Sequence, residues 1–265
     1  MLQNRIKSIL REGRMAVAAH GGCFREPEIV ELIGQAGFDG VFIDMEHTGF
    51  DLRDIQMMVL AAERHGITPM VRTPGFDAAL TLRLLDIGVQ ALYIPHTTSA
   101  TVAREIVNAV RYHPLGDRGV LPFARAAAYG QTPLKDHMEQ SNREVLLTVM
   151  VEDAAGLADI DAIAAVDGID LIAPAPSDLS TSLGVGGQPD HPKLVAAMER
   201  IIAATRTAGK AGLALPLGHP LYPRTLAENQ KLGTNLLLCG TPPQTRLLRS
   251  FTQEVSEIRG ALGKG

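Results

Sequence analysis

Gly40-Val41-Phe42-Ile43-Asp44-Met45-Glu46-His47 is a short apolar run that stops abruptly in two carboxylates and an imidazole. Packing alone gives no reason for such an ending. Acidic groups and His at the C-terminal end of a strand suit an α/β fold, where ligands bind at that edge of the sheet. Two further runs end alike: residues 68–71 lead into Arg72, and residues 145–151 lead into Glu152. A base, a cation and a carboxylate therefore sit at three strand exits.

The same rhythm continues on both sides. Apolar β-type stretches fall at 15–19, 40–44, 68–71, 91–94, 145–151, 171–173, 211–215 and 235–239. Helical patterns follow at 27–36, 52–64, after Asp77, and at 101–110, 156–165, 193–206, 221–231 and 244–261. Asp51, Asp77 and Ser99 stand where a side-chain oxygen accepts the unpaired N–H groups of a first helical turn. Near-continuously apolar strands are what helices covering a parallel sheet require. Eight strand–helix units in about 250 residues predict one α/β domain, a (β/α)8 TIM barrel over residues 1–265. A doubly wound sheet competes, but no glycine-rich nucleotide fingerprint follows any strand, and Gly21-Gly22 is too short to serve as one. The 111–131 connection has no periodicity, and loops of that length in compact domains are usually functional or mobile.

Of 265 residues, 46% are apolar and 20% charged, enough to bury a substantial core. The net charge is −4, and the largest basic cluster, Arg111, Arg118 and Arg125, is dispersed, which disfavours nucleic-acid and membrane-surface binding. Cys23 and Cys239 are the two cysteines, too few and too far apart for a disulfide framework or metal-ligand spacing. Residues 1–14 lack the uninterrupted apolar core of a signal peptide. The expectation is a cytoplasmic protein without a membrane span.

Glu152 and Asp178 follow successive strands, and a barrel brings such exits together. Two carboxylates without a Cys or His cluster suit a hard divalent ion, Mg²⁺ or Mn²⁺, with water or substrate oxygens completing its shell. Singly, Asp178 reads as a cap for Leu179-Ser180 and Glu152 as a solvated loop residue. Arg72 suits a carboxylate or a developing oxyanion, or an ion pair with Asp44 or Glu46. His47 is the best general-base candidate. His96 is a weaker one, and His20 is placed to line a pocket. His65, His113, His137, His191 and His219 read as chemically silent. Glu46 with Glu152 as a glycosidase pair is a rival use, disfavoured by four Tyr and no Trp.

In order along the chain, Phe38-Asp39, Ile43-Asp44-Met45-Glu46-His47, Val71-Arg72, Leu84-Leu85-Asp86-Ile87-Gly88, Arg111-Tyr112-His113-Pro114-Leu115-Gly116-Asp117-Arg118-Gly119, Ala124-Arg125-Ala126, Val151-Glu152 and Pro176-Ser177-Asp178-Leu179-Ser180 resemble the HpcH/HpaI class II aldolases. These are metal-dependent pyruvate enzymes on a barrel of the phosphoenolpyruvate/pyruvate type. The resemblance implies reversible cleavage of a 4-hydroxy-2-oxo acid into pyruvate and an aldehyde. It assigns the ion (Mg²⁺ or Mn²⁺, with Co²⁺ a further candidate) to Glu152 and Asp178, and enolate stabilisation to Arg72. It gives His47 the proton transfer through a water on the ion, and puts Asp44 in the hydrogen-bond network around His47. Asp86 would pair with His47, and backbone amides near Ser177 and Asp178 would receive the pyruvate carboxylate. The substrates implied are 2-keto-3-deoxy or 5-keto-4-deoxy sugar acids, or 4-hydroxy-2-oxoheptanedioate. Arg125 is expected to contact an acidic aldehyde, because a carboxylate favours a bidentate partner.

Asp86 precedes the fourth strand and so belongs to the opposite end of the barrel from His47. Such a pair is expected only if Asp86 comes from a neighbouring subunit; otherwise Asp86 caps its own helix. The family further suggests a homohexamer, a trimer of dimers, with the 244–261 helix packing on or exchanged with a neighbour. Met150, Ala175, Cys23-Phe24-Arg25 and the ending Cys239-Gly240-Thr241-Pro242-Pro243 depart from the pattern. The alternatives are citrate-synthase-like bond formation from oxaloacetate in a siderophore pathway, and a non-catalytic metabolite-binding barrel.

Overall fold

The computed structural model describes residues 2–263. Its strands are β1 Ala16–His20, β2 Gly40–Asp44, β3 Thr68–Arg72, β4 Ala91–Ile94, β5 Leu146–Val151, β6 Leu171–Pro174, β7 Gly212–Leu217 and β8 Leu236–Cys239. They pair in sequence order, all parallel, and β8 returns to β1 with Ala16 opposite Leu236. The predicted TIM barrel is therefore closed.

The helices up to the fifth strand are α1 Arg5–Arg11, α2 Glu28–Gln35, α3 Leu52–Arg64, α4 Ala78–Asp86, α5 Ala100–Val110 and α6 Leu134–Glu144. After β5 come α7 Ala154–Ala158, α8 Ile160–Ala164, α9 Pro176–Ser182, α10 Pro192–Ala208, α11 Leu226–Leu232 and α12 Pro243–Ala261. Asp51, Asp77 and Ser99 cap α3, α4 and α5 as expected, each accepting from first-turn N–H groups. The expected helix at 156–165 is two short ones, broken at Asp159, whose carboxylate accepts from the Ala100 N–H at 2.7 Å. The helix expected from 221 starts at Leu226, where Thr225 and Glu228 form a capping box. Among the described residues, no helix is long and apolar enough to cross a membrane.

Each apolar strand splits its side chains between two shells, because successive residues point to opposite faces. Val41, Ile43, Val71, Leu92, Leu147, Val149 and Ile172 meet the helices. Phe42, Met70, Tyr93, Met150, Ala173 and Ala214 fill the barrel interior. That interior is closed at the N-terminal end by α1, a helix that the strand–helix rhythm does not announce. Ile6 and Ile9 insert into the inner cluster, the Asn4 side-chain amide donates to the Gln90 carbonyl at 2.9 Å, and the Ile6 N–H donates to the Thr68 hydroxyl at 3.1 Å. Polar bonds around an apolar plug seal one end.

Ile6 is fully buried, so Ile6→Ala leaves a cavity in this plug. It should lower the unfolding free energy by about 2–4 kcal/mol, read as a lower urea midpoint at unchanged m-value.

Candidate active site

The open end of the barrel carries the chemistry. Asp44 and Arg72 close β2 and β3 as register neighbours. The Arg72 guanidinium donates to both Asp44 oxygens, from Nε at 2.9 Å and Nη2 at 2.7 Å, and Nη1 lies 3.1 Å from Glu46 Oε2. It also sits over the Phe42 ring, 5.6 Å from the centroid. Both readings of Arg72 meet here: it is ion-paired with Asp44 and Glu46, and it lines the cavity. Burial alone would raise the Asp44 carboxyl, but the two Arg72 bonds and the Glu46 N–H hold it below the usual carboxylate range.

Glu152 follows β5 and is 3% exposed, so it is not a solvated loop residue. One of its oxygens accepts the His96 backbone N–H at 2.7 Å and lies 3.2 Å from His96 Nδ1. The other ring nitrogen of His96 is 3.1 Å from Glu46 Oε1. His96 holds this position with φ of 56°, a left-handed conformation that costs a non-glycine residue about 1–2 kcal/mol. Burial raises the Glu152 carboxyl; the His96 contacts oppose this, but Asp178 and Glu46 add to it and the net shift is upward. A buried acid whose acidic neighbours disfavour its charge fits a site built around a cation. Asp178 supplies the companion carboxylate from the first turn of α9; the N-cap position expected for it belongs to Ala175. Among the described residues, no cluster of three or more His, Cys, Asp or Glu is arranged to hold a metal. With two carboxylates only, Glu152 and Asp178, a hard divalent ion would need substrate and water oxygens to complete its shell.

The cavity beside these groups measures about 250 Å³ and is lined by His20, Phe42, Arg72, Met150, Ser177, Asp178 and His219 among others. Met150 makes part of its wall apolar. His47 stands at the rim, its side chain 61% exposed and Nε2 3.7 Å from Glu46 Oε2. The network expected around His47 differs in detail, because the Asp44 carboxylate is taken up by Arg72 and the Glu46 N–H.

Two expected site residues lie elsewhere in this chain. Asp86 ends α4 and accepts from Arg118 Nη2 at 2.7 Å, at the end of the barrel opposite His47; the C-cap of α4 is Ile87, not Asp86. Arg125 belongs to the same end. Its guanidinium binds Glu63 through both terminal nitrogens and the Ile87 carbonyl at 3.0 Å. The expected contact of Arg125 with an aldehyde is not made within the chain, since Glu63 already occupies its fork.

Glu46, His96 and His219 carry more of the geometry than the sequence suggests. His219 reads as silent only while the seventh strand is taken to end at residue 215. The strand runs to Leu217, which puts His219 at an exit like the others. Its Nε2 is 3.2 Å from Ser177 Oγ.

A closed parallel barrel with a fixed guanidinium, a buried acid and further acids and imidazoles at the C-terminal ends of its strands is the frame of a TIM-barrel enzyme. The profile of HpcH/HpaI aldolases and citrate lyases matches residues 24–216. A hydroxypyruvate/pyruvate aldolase of Pseudomonas aeruginosa is 37% identical over 258 residues, 97% of this chain and 93% of that one. A 4-hydroxy-2-oxo-heptane-1,7-dioate aldolase of Salmonella paratyphi C is 35% identical over 226 residues, 85% of each chain. An HpcH/HpaI aldolase/citrate lyase family protein from Burkholderia cenocepacia superposes with a TM-score of 0.87 at 30% identity, covering 97% of this chain and 100% of that one. The citrate synthase SbnG superposes with a TM-score of 0.84 at 26% identity, covering 96% and 97%. The chain belongs to the HpcH/HpaI aldolase/citrate lyase family and is a lyase.

Burial, and then the charge of Arg72, push the His20 imidazole from 6.5 down to about 4. The unfolded chain takes up this proton below pH 6.5 and the native chain only near pH 4. Stability from His20 is thus full above pH 6.5 and drains as pH falls toward 4. His20→Gln should shrink the loss of unfolding free energy between about pH 7 and pH 4.5 by about 2 kcal/mol, read by urea titration at both pH values.

Proposed function

We propose that the protein is a divalent-metal-dependent aldolase that cleaves a 4-hydroxy-2-oxo acid to pyruvate and an aldehyde, or joins them. The observation that carries the reading is Glu152, a buried acid beside Asp178 and Glu46 with its carboxyl raised by burial and by them. A cation held there by Glu152 and Asp178 would draw charge from the keto and carboxylate oxygens of the 2-oxo acid. The chain's own groups do the rest. Of the five N–H donors of Arg72, two bond Asp44 while Nη1 is ion-paired with Glu46, which leaves N–H groups for an oxygen on which negative charge develops as the C–C bond breaks. Because the guanidinium is already clamped, little reorganisation accompanies that charge. His47, exposed beyond the end of β2 with Glu46 beside it, would accept the proton of the 4-hydroxyl and return one.

The relatives named above act, by their names, on hydroxypyruvate, pyruvate or a 4-hydroxy-2-oxo diacid. A 2-keto-3-deoxy sugar acid or the heptanedioate is the proposed substrate class here. Against citrate formation stands the lining of the cavity, where Arg72 is the only Lys or Arg among the described residues; a tricarboxylate calls for more cations. Against a binding-only barrel speak the aldolase relatives and the carboxylates Glu152 and Asp178 retained at successive strand exits. Two unpaired cysteines support the cytoplasm as the location.

Assembly is part of the proposal. α12 buries none of its residues, and Leu247, Leu248, Phe251, Val255 and Ile258 recur on it at helical spacing, all exposed. The 111–131 connection adds exposed Leu121 and Phe123. A second copy of the chain, up to a hexamer with α12 packed on or exchanged with a neighbour, would cover these surfaces. Asp86 reaches a His47, and Arg125 an aldehyde, only across such an interface.

Pyruvate release from a panel of 4-hydroxy-2-oxo acids, coupled to lactate dehydrogenase, should stop with EDTA and return with Mg²⁺ or Mn²⁺. Glu152→Gln should lose at least about a hundredfold in turnover together with metal affinity. His47→Ala should lose about 10²–10⁴-fold while still binding metal. Citrate from oxaloacetate and acetyl-CoA without pyruvate from the panel would replace this reading with the synthase. Light scattering should show an oligomer, and Phe251→Asp a smaller species of unchanged far-UV dichroism; a monomeric, fully active wild type would end the shared-site proposal.

A further inference from the structure

His219 has no part in the chemistry above, yet its pairing with Ser177 is firmly built. His219 follows Gly218 at the exit of β7, in a loop closed on itself by a His219–Tyr222 bridge and by the Gly218 N–H donating to the Arg224 carbonyl at 3.2 Å. Tyr222 is 2% exposed. The Arg224 guanidinium lies 4.0 Å over its ring and donates to Asp190 at 2.8 Å. The imidazole is therefore set on an anchored loop.

Its tautomer follows from its partners. The Leu221 N–H donates to His219 Nδ1 at 3.2 Å, so in the neutral ring the proton sits on Nε2. Nε2–H then donates to Ser177 Oγ, 3.2 Å away. Ser177 Oγ makes no other hydrogen bond among the described residues, so the hydroxyl's single proton is left for an acceptor in the cavity that both residues line with Arg72.

We propose that His219 is a positioning residue that, through the Ser177 hydroxyl, orients the carboxylate of a small 2-oxo acid. This rests on the proposed function for the identity of the acid. An anionic oxygen is the acceptor that such a hydroxyl, already accepting a proton from its neighbour, binds best. The pair acts as one donor, and removing either member removes it.

Titration calorimetry with oxamate, on protein saturated with Mg²⁺, reads this directly. His219→Ala and Ser177→Ala should each weaken oxamate about tenfold, and the double variant no further. His219→Gln, whose amide N–H reaches the same place, should recover most of the loss. Mg²⁺ affinity should stay unchanged, and in turnover KM for the 2-oxo acid should rise with kcat held within about twofold. Nitrogen-15 spectra of the metal-free protein should place the His219 proton on Nε2. Unchanged oxamate affinity in His219→Ala, additive losses in the double variant, a matching fall in Mg²⁺ affinity, or an Nδ1–H tautomer would each overturn the proposal, as would a wild type that binds no oxamate. A wild type that binds oxamate with these dependences but releases no pyruvate from any aldol refutes the aldolase reading instead and supports the carboxylate site.

Discussion

The clamp of Arg72 between Asp44 and Glu46 is the interaction on which the open end of the barrel depends. Asp44, Glu46, Glu152 and Asp178 converge on one rim, four carboxylates against a single guanidinium. Buried ion pairs of this kind add little net stability, since desolvation consumes most of the Coulomb gain. What the clamp supplies is position: two bonds to Asp44 tie β2 to β3, and the contact to Glu46 fixes the segment that carries His47. On the β5 and β6 side the Glu152 carboxyl is raised, first by burial and then by Asp178 and Glu46. Under the proposed function, a bound divalent cation would offset the cost of gathering these acids.

The rest of the molecule uses its apolar surface to hold that rim still. Strand alternation sends one set of side chains to the helices and another to the barrel interior. Local backbone strain collects where function does, because only a surrounding structure that over-determines a residue can hold it in a sparsely populated conformation. His96, with φ of 56°, is the described strand-exit residue that both bends the chain and touches two acids.

Much of this is legible in the residues, and the failures have physical causes. β2 and β4 begin and end where their apolar runs do, because a buried parallel strand shows up as an unbroken run. The caps at Asp51, Asp77 and Ser99 are legible because a cap is a local device, set by the residue and the turn that follows it. α6 is not, because its inward face is polar: His137 meets the Tyr112 hydroxyl, Ser141 the Arg118 guanidinium, and Glu144 the Asn4 N–H. Hydrophobic periodicity cannot register such a face. α1 is hidden by its charges, although Asn4 caps it and Ile6 and Ile9 share a side. At the rim, Arg72 and Glu152 stand out by their place after strands. His219 escapes notice when β7 is cut short by two residues, and the pairings of Arg125 with Glu63 and of Asp86 with Arg118 depend on contacts far apart in sequence.

The plug formed by α1 has a kinetic meaning. With Ile6 and Ile9 packed into the inner cluster at the far end, the cavity lies toward the strand exits. In a two-substrate reaction of the kind proposed, the reactant that lies deeper would then arrive before its companion and depart after it.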